Sequence, residues 1–324
     1  VPVKMRTFKK AAKDSDLQRL EDLLIKLEAQ YGREFMSSVA SIKAKLDLDA
    51  VEEMVATGRY SDFLANLEKQ YALFANAVVA GMFVAGESTA AFISGLTDSL
   101  VAFDATNPIV IDAARSNRLR LITGLDDSQR QAISEVIIDG VTRGINPRQQ
   151  ALAIREVIGL TPNQARAVQK YRALLEDGST QALSRKLRDK RFDSTVRRAA
   201  KDKAMLSSTQ IDRMVERYSE RMLRYRSEVI ARTEALRSVN QGNNIVFQQA
   251  VGDGVLLEHE IQRTWNTASD ERVRSSHRAM HGQIVGLNEN FISGNGNALS
   301  FPGDINAPGS ETIQCRCMAT TRLL

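Results

Sequence analysis

Residues 209–254, TQIDRMVERYSERMLRYRSEVIARTEALRSVNQGNNIVFQQAVGDG, decide how the chain is organised. Ile211, Met214, Tyr218, Met222, Tyr225, Val229 and Ile230 recur at three- and four-residue steps, the spacing that lines one face of an α-helix. The pattern predicts a single long helix over 209–250, with Gly252 as its stop because glycine closes a helix at little steric cost. Its methionines fit a packed face better than a separate binding box. Beyond Gly254 the texture changes. Residues 255–267 read as strand, 269–280 as a short helix opened by a Ser or Asp cap, and 283–291 as strand and turn. A loop rich in Gly, Asn and Pro covers 293–308, and 312–320 reads as a closing strand. A small α+β module is thus fed by a long helix.

Working outward toward the N-terminus, the pattern stays helical. Leu17, Leu20, Leu23, Leu24, Leu27, Tyr31 and Phe35 give one helix over about 16–48. Phe63, Leu64, Leu67, Tyr71 and Phe74 begin the apolar part of a second helical block over 51–102. No Lys, Arg or His lies between Lys69 and Arg115, and 78–92 is rich in small residues, which reads as close helix packing within the chain or against a partner subunit. Asn107-Pro108 marks a break, followed by shorter helices at 126–143, 147–158 and 161–176. In Thr161-Pro162-Asn163-Gln164 a Thr N-cap, a Pro at the first helical position and a Gln two residues on form a capping box. The expected class is α+β, predominantly α-helical. Its expected divisions are a helical region at 1–106, a middle helical region at 107–205, and the long helix plus module at 206–324.

With 324 residues, 43% hydrophobic and 6% aromatic, the chain can bury about two domain cores, which excludes a disulfide-stapled miniprotein and a wholly disordered chain. Two cysteines, Cys315 and Cys317, cannot form a disulfide framework and fit a reducing compartment. The most apolar run, 71–85, is shorter than a membrane span requires, so no span is expected. The start, Val1-Pro2-Val3-Lys4, lacks an apolar signal core and reads as a trimmed start rather than a targeting segment.

The net charge of +5 is mild, but its distribution is not. Residues 181–232 hold 15 Lys and Arg against 7 Asp and Glu, a net of +8. The densest part contains Arg185, Lys186, Arg188, Lys190, Arg191, Arg197, Arg198, Lys201 and Lys203, which suits either a solvated face or contact with phosphates.

All three histidines and both cysteines lie between His259 and Cys317. Cys315 and Cys317 are two apart on an expected strand, so both would point to one side, where a shared metal is easier than a strained mutual disulfide. His277 with the two cysteines, and Asp270 or His281 as a fourth ligand, is the donor set of a tetrahedral, structural zinc site. Two thiols in a reducing compartment also read simply as small buried apolar groups. The His277–His281 spacing is not a zinc-protease motif, because no Glu lies between the two histidines.

The ordered series Ala231-Arg232-Thr233-Glu234, Trp265-Asn266-Thr267, Asp270, Arg274, His277, Gly282, Phe291, Pro302-Gly303-Asp304, Ala307-Pro308 and Glu311-Thr312-Ile313-Gln314-Cys315-Arg316-Cys317 resembles the phage Mu protein F-like family of head morphogenesis, or minor head, proteins. The motifs cover about the last hundred residues. The resemblance implies a tailed-phage protein made in the host cytoplasm and carried in the virion, inside the capsid near the portal vertex. It implies a part in head assembly and in packaging, retaining or ejecting the genome, with portal protein and/or major capsid protein and packaged double-stranded DNA as partners. Arg232, Thr233, Glu234, Trp265, Arg274, Pro302, Gly303 and Asp304 would then be structural motif residues, and no turnover is expected. The rivals are a metal-assisted nuclease using His277, Asp270 and Glu234, and a non-specific DNA-binding protein without a capsid role.

Overall fold

The computed structural model describes residues 15–60 and 71–324. The helical part consists of α1 (Ser15–Lys45), α2 (Leu48–Thr57), α3 (Ala72–Leu96), α4 (Pro108–Arg143), α5 (Pro147–Val157), α6 (Pro162–Glu176), α7 (Asp193–Asp202) and α8 (Ser208–Gly252). The C-terminal module adds β1 (Ile261–Asn266), α9 (Ser275–Arg278), β2 (Ile284–Val285), β3 (Phe291–Ile292), β4 (Ala298–Leu299), α10 (Gly309–Thr312) and β5 (Met318–Leu323). The chain is therefore α+β and predominantly α-helical, with all its described strands after Gly254.

The long helix forms as its apolar period predicts. The block expected over 51–102 is interrupted, because Gly58 takes a left-handed conformation (φ 70°) and closes α2. Part of that block, 61–70, lies outside the described residues. Toward the C-terminal side the expected helix at 126–143 begins earlier, at Pro108, where proline's fixed φ suits a first helical position. The capping box at Thr161 is present: Gln164 N donates to Thr161 Oγ1 at 3.2 Å and Thr161 N to Gln164 Oε1 at 3.0 Å.

Packing divides the described chain into two compact units assembled from non-contiguous segments. One comprises 35–60, 71–72 and 121–227. In it Phe35 stacks on Tyr71 at 6.0 Å, α2 packs on α5, and Gly159 (φ 84°) sits so close to Val39 and Leu223 that a Cβ would meet them at about 2.8 Å. The basic stretch is folded here into α7 and two short 3₁₀ turns.

The other unit comprises 15–34, 73–120 and 228–324 and contains the module. Helix α3 is long and apolar enough to cross a membrane by length and composition, exceeding the 71–85 run considered alone. Within this unit, however, it is a core helix: Phe74, Ala75, Val78, Met82, Ala85, Ala90 and Ile93 are buried. Gly242 of α8 lies so near it that a Cβ would fall 2.5 Å from Met82 O, so the two backbones are almost in contact. Farther along, Ala90 and Ile93 join Val246, Phe247, Ala250, Leu256, Ile261 and Leu287 in one apolar cluster that seats the sheet.

The main sheet has the order β2-β1-β5, all antiparallel. Ile261, Arg263 and Trp265 of β1 face inward, as the two-residue period requires. Arg263 is buried, and its guanidinium donates to Gly286 O at 3.0 Å, Ser300 O at 2.6 Å, Asn244 Oδ1 at 3.1 Å and Glu289 O. One side chain thereby ties the sheet, α8 and the 286–300 loops together. The register pairs Asn266 with Met318, which brings the residues just before β5 to the end of β1.

Candidate metal centre

His277 lies on α9, and Cys315 and Cys317 lie in the extended segment before β5 rather than on a regular strand. The expected helix at 269–280 shrinks to α9 because Ser269 has a positive φ (53°) and Asp270 makes a turn, accepting from Arg272 N at 3.0 Å. Gln314, also at positive φ (56°), redirects the chain, and its N–H donates to Thr233 Oγ1 on α8 at 3.1 Å. Arg274 donates to Glu311 O at 3.4 Å and to Ile313 O. These contacts hold the segment before Cys315 against both α8 and α9.

The three donors converge. His277 Nδ1 lies 3.4 Å from the Sγ of Cys315 and 3.4 Å from the Sγ of Cys317, and all three residues are buried. A tetrahedral zinc with bonds of ~2.3 Å to sulfur and ~2.0–2.1 Å to nitrogen would place the nitrogen ~3.5 Å from each sulfur. The observed spacing therefore fits one soft or borderline metal ion. Cys317 N donates to Cys315 Sγ at 3.4 Å, and the Trp265 indole N–H, which no oxygen satisfies, favours the Cys317 thiolate. Cys315 is pulled well below the usual thiol range by its hydrogen bond from Cys317 and then by His277, against burial. The same shared proton, together with burial, pushes Cys317 up.

The other face of the imidazole meets a carboxylate. His277 Nε2 lies 2.9 Å from Glu311 Oε2, close enough for an ion pair although off the line of a good hydrogen bond. Glu311 is fully enclosed and accepts from Ser276 Oγ at 2.9 Å, Ser293 Oγ at 3.1 Å, Asn295 Nδ2 at 3.0 Å and Asn297 Nδ2 at 3.0 Å. Burial raises its pKa, but the four donors outweigh that and bring it down to about 2. A carboxylate behind the imidazole fixes the ring so that Nδ1 faces the sulfurs, and it increases the basicity of that nitrogen toward a metal. Trp265 packs edge-on to His277 at 5.5 Å and to Phe291 at 5.1 Å, limiting solvent access. Sequence reasoning placed Glu311 only in a motif and gave it no role.

The other expected site residues sit elsewhere. Asp270 is bound by both arms of Arg316, which brings its carboxyl down to about 2, and it does not join the donor cluster. His281 Nδ1 pairs with Thr267 N and Oγ1, each at 3.2 Å. Glu234 is paired with Arg237 at 2.6 Å, and Arg237 Nε donates to Gly303 O at 3.0 Å. Gly303 (φ 87°) approaches so closely that a Cβ would lie 3.2 Å from Arg237 Cα, while Asp304 accepts from Ser300 N and Asn306 N. Pro302 is buried just ahead of that turn. Arg232 holds Glu28 with its guanidinium at 2.8 Å. The motif residues thus lock the loops to α8 and to one another.

In the other unit, Arg188 pairs with Asp193, Arg191 with Asp189, and Arg197 with Asp193. Arg185 is half-buried, while Lys186, Lys190, Arg198, Lys201 and Lys203 are exposed or partly exposed. None of these five lysine and arginine side chains from Lys186 onward makes an ion pair among the described residues, although Lys190 lies near enough to Asp193 to act on its charge.

A core built of such motif residues defines a class. The family described as Phage Mu protein F like protein matches residues 131–320, more than half of the chain, and the chain belongs to that family. A curated relative, minor head protein GP7 of Bacillus phage SPP1, is 30% identical over 92 residues, which are 28% of this chain and 28% of that protein. The chain thus matches well under two thirds of that relative's length. No solved structure matches.

Proposed function

We propose that the chain is a minor head protein of a tailed phage, acting in assembly rather than turnover and carried in the virion. The observation that carries this reading is the family match, which runs from within α4 through the later helices and into the module whose motif residues interlock loops with α8. The name of the SPP1 relative supports the same role. In this reading the protein is made in the host cytoplasm and sits inside the capsid near the portal, touching portal protein or major capsid protein. Lys186, Arg198, Lys201 and Lys203 contact packaged DNA through phosphates, assisted by the neighbouring Arg185, Arg188, Lys190, Arg191 and Arg197. The 1–106, 107–205 and 206–324 regions serve as docking region, DNA-facing region and metal-stabilised module.

His277, Cys315 and Cys317 hold one structural zinc in this reading, with Glu311 behind the histidine. The nuclease rival is less well supported, because Asp270 and Glu234 are each held by an arginine outside the donor cluster. Heads purified from cells producing tagged chain test the role. The tagged protein should co-purify with DNA-filled heads at constant stoichiometry and leave added DNA intact with divalent metals. Heads lacking the chain, or metal-dependent DNA cleavage lost in His277→Ala, would overturn it.

A further inference from the structure

The three donors leave a tetrahedral metal one position short. Among the described residues, no fourth His, Cys, Asp or Glu joins the cluster, since Asp270 and His281 are held elsewhere. Beside the donors lies a cavity of about 140 Å³, lined also by Arg272, Arg274, Gln314 and Arg316. The positive charges of Arg274 and Arg316 are felt at the sulfurs. Two thiolates neutralise a divalent ion and Asp270 offsets one of the three arginines, so this mouth keeps a smaller net positive charge, and the cavity has room for one small group rather than a whole nucleotide.

We infer that the metal's fourth position is open to this cavity and takes an exchangeable phosphate-type oxyanion, held by Arg272 and its neighbouring arginines. The inference rests on the metal reading proposed above. In the exchange an anionic oxygen forms the fourth bond to the metal as a water molecule leaves, with no change of oxidation state. The cluster would then join the module to a phosphate, either free or at the end of a nucleic-acid strand. A closed four-residue zinc knuckle could not make that link.

Cobalt(II) loaded into the full chain reports both steps. A thiolate-to-cobalt charge-transfer band reports binding at the cysteines, and the visible d–d bands report the fourth ligand. Inorganic phosphate should change the d–d bands saturably, chloride at equal ionic strength should not, and Arg272→Gln should weaken the phosphate response by about two- to fivefold. Arg272 suits this test because its side chain is 73% exposed and makes only a long 3.6 Å ion pair to Asp270. Short DNA strands with and without a 5′-phosphate then separate a strand end from free phosphate as the source. No charge-transfer band would defeat the metal reading itself. A charge-transfer band with d–d bands indifferent to phosphate, or responding equally to chloride and unaltered in Arg272→Gln, would overturn the open oxyanion site and leave the metal reading intact.

Discussion

Glu311→Gln keeps the size of the side chain but removes the charge on which four donors and His277 converge. The carboxyl falls from an ordinary 4.5 to about 2 in the folded protein, and one pKa unit corresponds to ~1.4 kcal/mol, so the ionised group contributes about 3 kcal/mol at neutral pH. The figure agrees with a few charge-assisted hydrogen bonds made in a site closed to solvent. Because the folded pKa is depressed, this stability is present above about 4.5 and is lost as pH falls toward about 2. Urea unfolding of both proteins, with chelator present to exclude metal, should give a difference of about 3 kcal/mol at pH 7 that shrinks to about 2 kcal/mol at pH 3.5. A difference below about 1 kcal/mol at pH 7, or one that does not vary with pH, would refute the assignment of Glu311 as a buried, ionised anchor.

Gly242→Val forces a side chain into Met82 O and Ala85, so it should destabilise by about 1–3 kcal/mol or more, whereas Gly124→Ala in α4, where a Cβ meets nothing within 4 Å, should stabilise by about 0.5–1 kcal/mol; equal effects in thermal unfolding would contradict the close α3–α8 packing. Arg263→Met strands several buried acceptors and should cost about 3 kcal/mol, with hydrogen exchange speeding first in β2 and the 286–300 loops; unchanged protection there would show that the guanidinium is not their anchor. Replacing Lys186, Arg198, Lys201 and Lys203 by Gln should weaken DNA binding uniformly across sequences and reduce the salt slope by about 0.9 for each phosphate no longer neutralised. An unaltered slope in filter binding would remove these residues from the DNA interface.

Much of the fold was legible because long helices advertise themselves. The period from Ile211 to Ile230 gives α8 within a few residues, and the Thr161 box gives the start of α6. Strands were harder to place: 255–260 and 315–317 carry strand-like residues, but turns and the pairing of Ile261–Asn266 with Met318–Leu323 decide which of them enter the sheet. The donor trio was visible from residue type alone, since histidine and cysteine are scarce and clustered. The fourth protein ligand expected beside it is not there among the described residues. Asp270 has the right chemistry, but Arg316 lies 46 residues away and captures it only through tertiary structure. Glu311 was hidden for the complementary reason, because its donors come from Ser276 and from a Ser-, Gly- and Asn-rich loop that composition alone marks merely as a turn. Among the basic residues, sequence counts cations, whereas the fold assigns Arg188, Arg191 and Arg197 to buried aspartates and leaves a smaller exposed set.

The metal content of the purified full chain, measured beside Cys315→Ser, Cys317→Ser, tests most directly whether His277, Cys315 and Cys317 form one centre. The geometry predicts about one zinc per chain, absent from the double variant, with a lower melting temperature that chelator reproduces in the native protein. A chain that carries no metal, takes up none when zinc is supplied, and melts at the same temperature as the variant would contradict it.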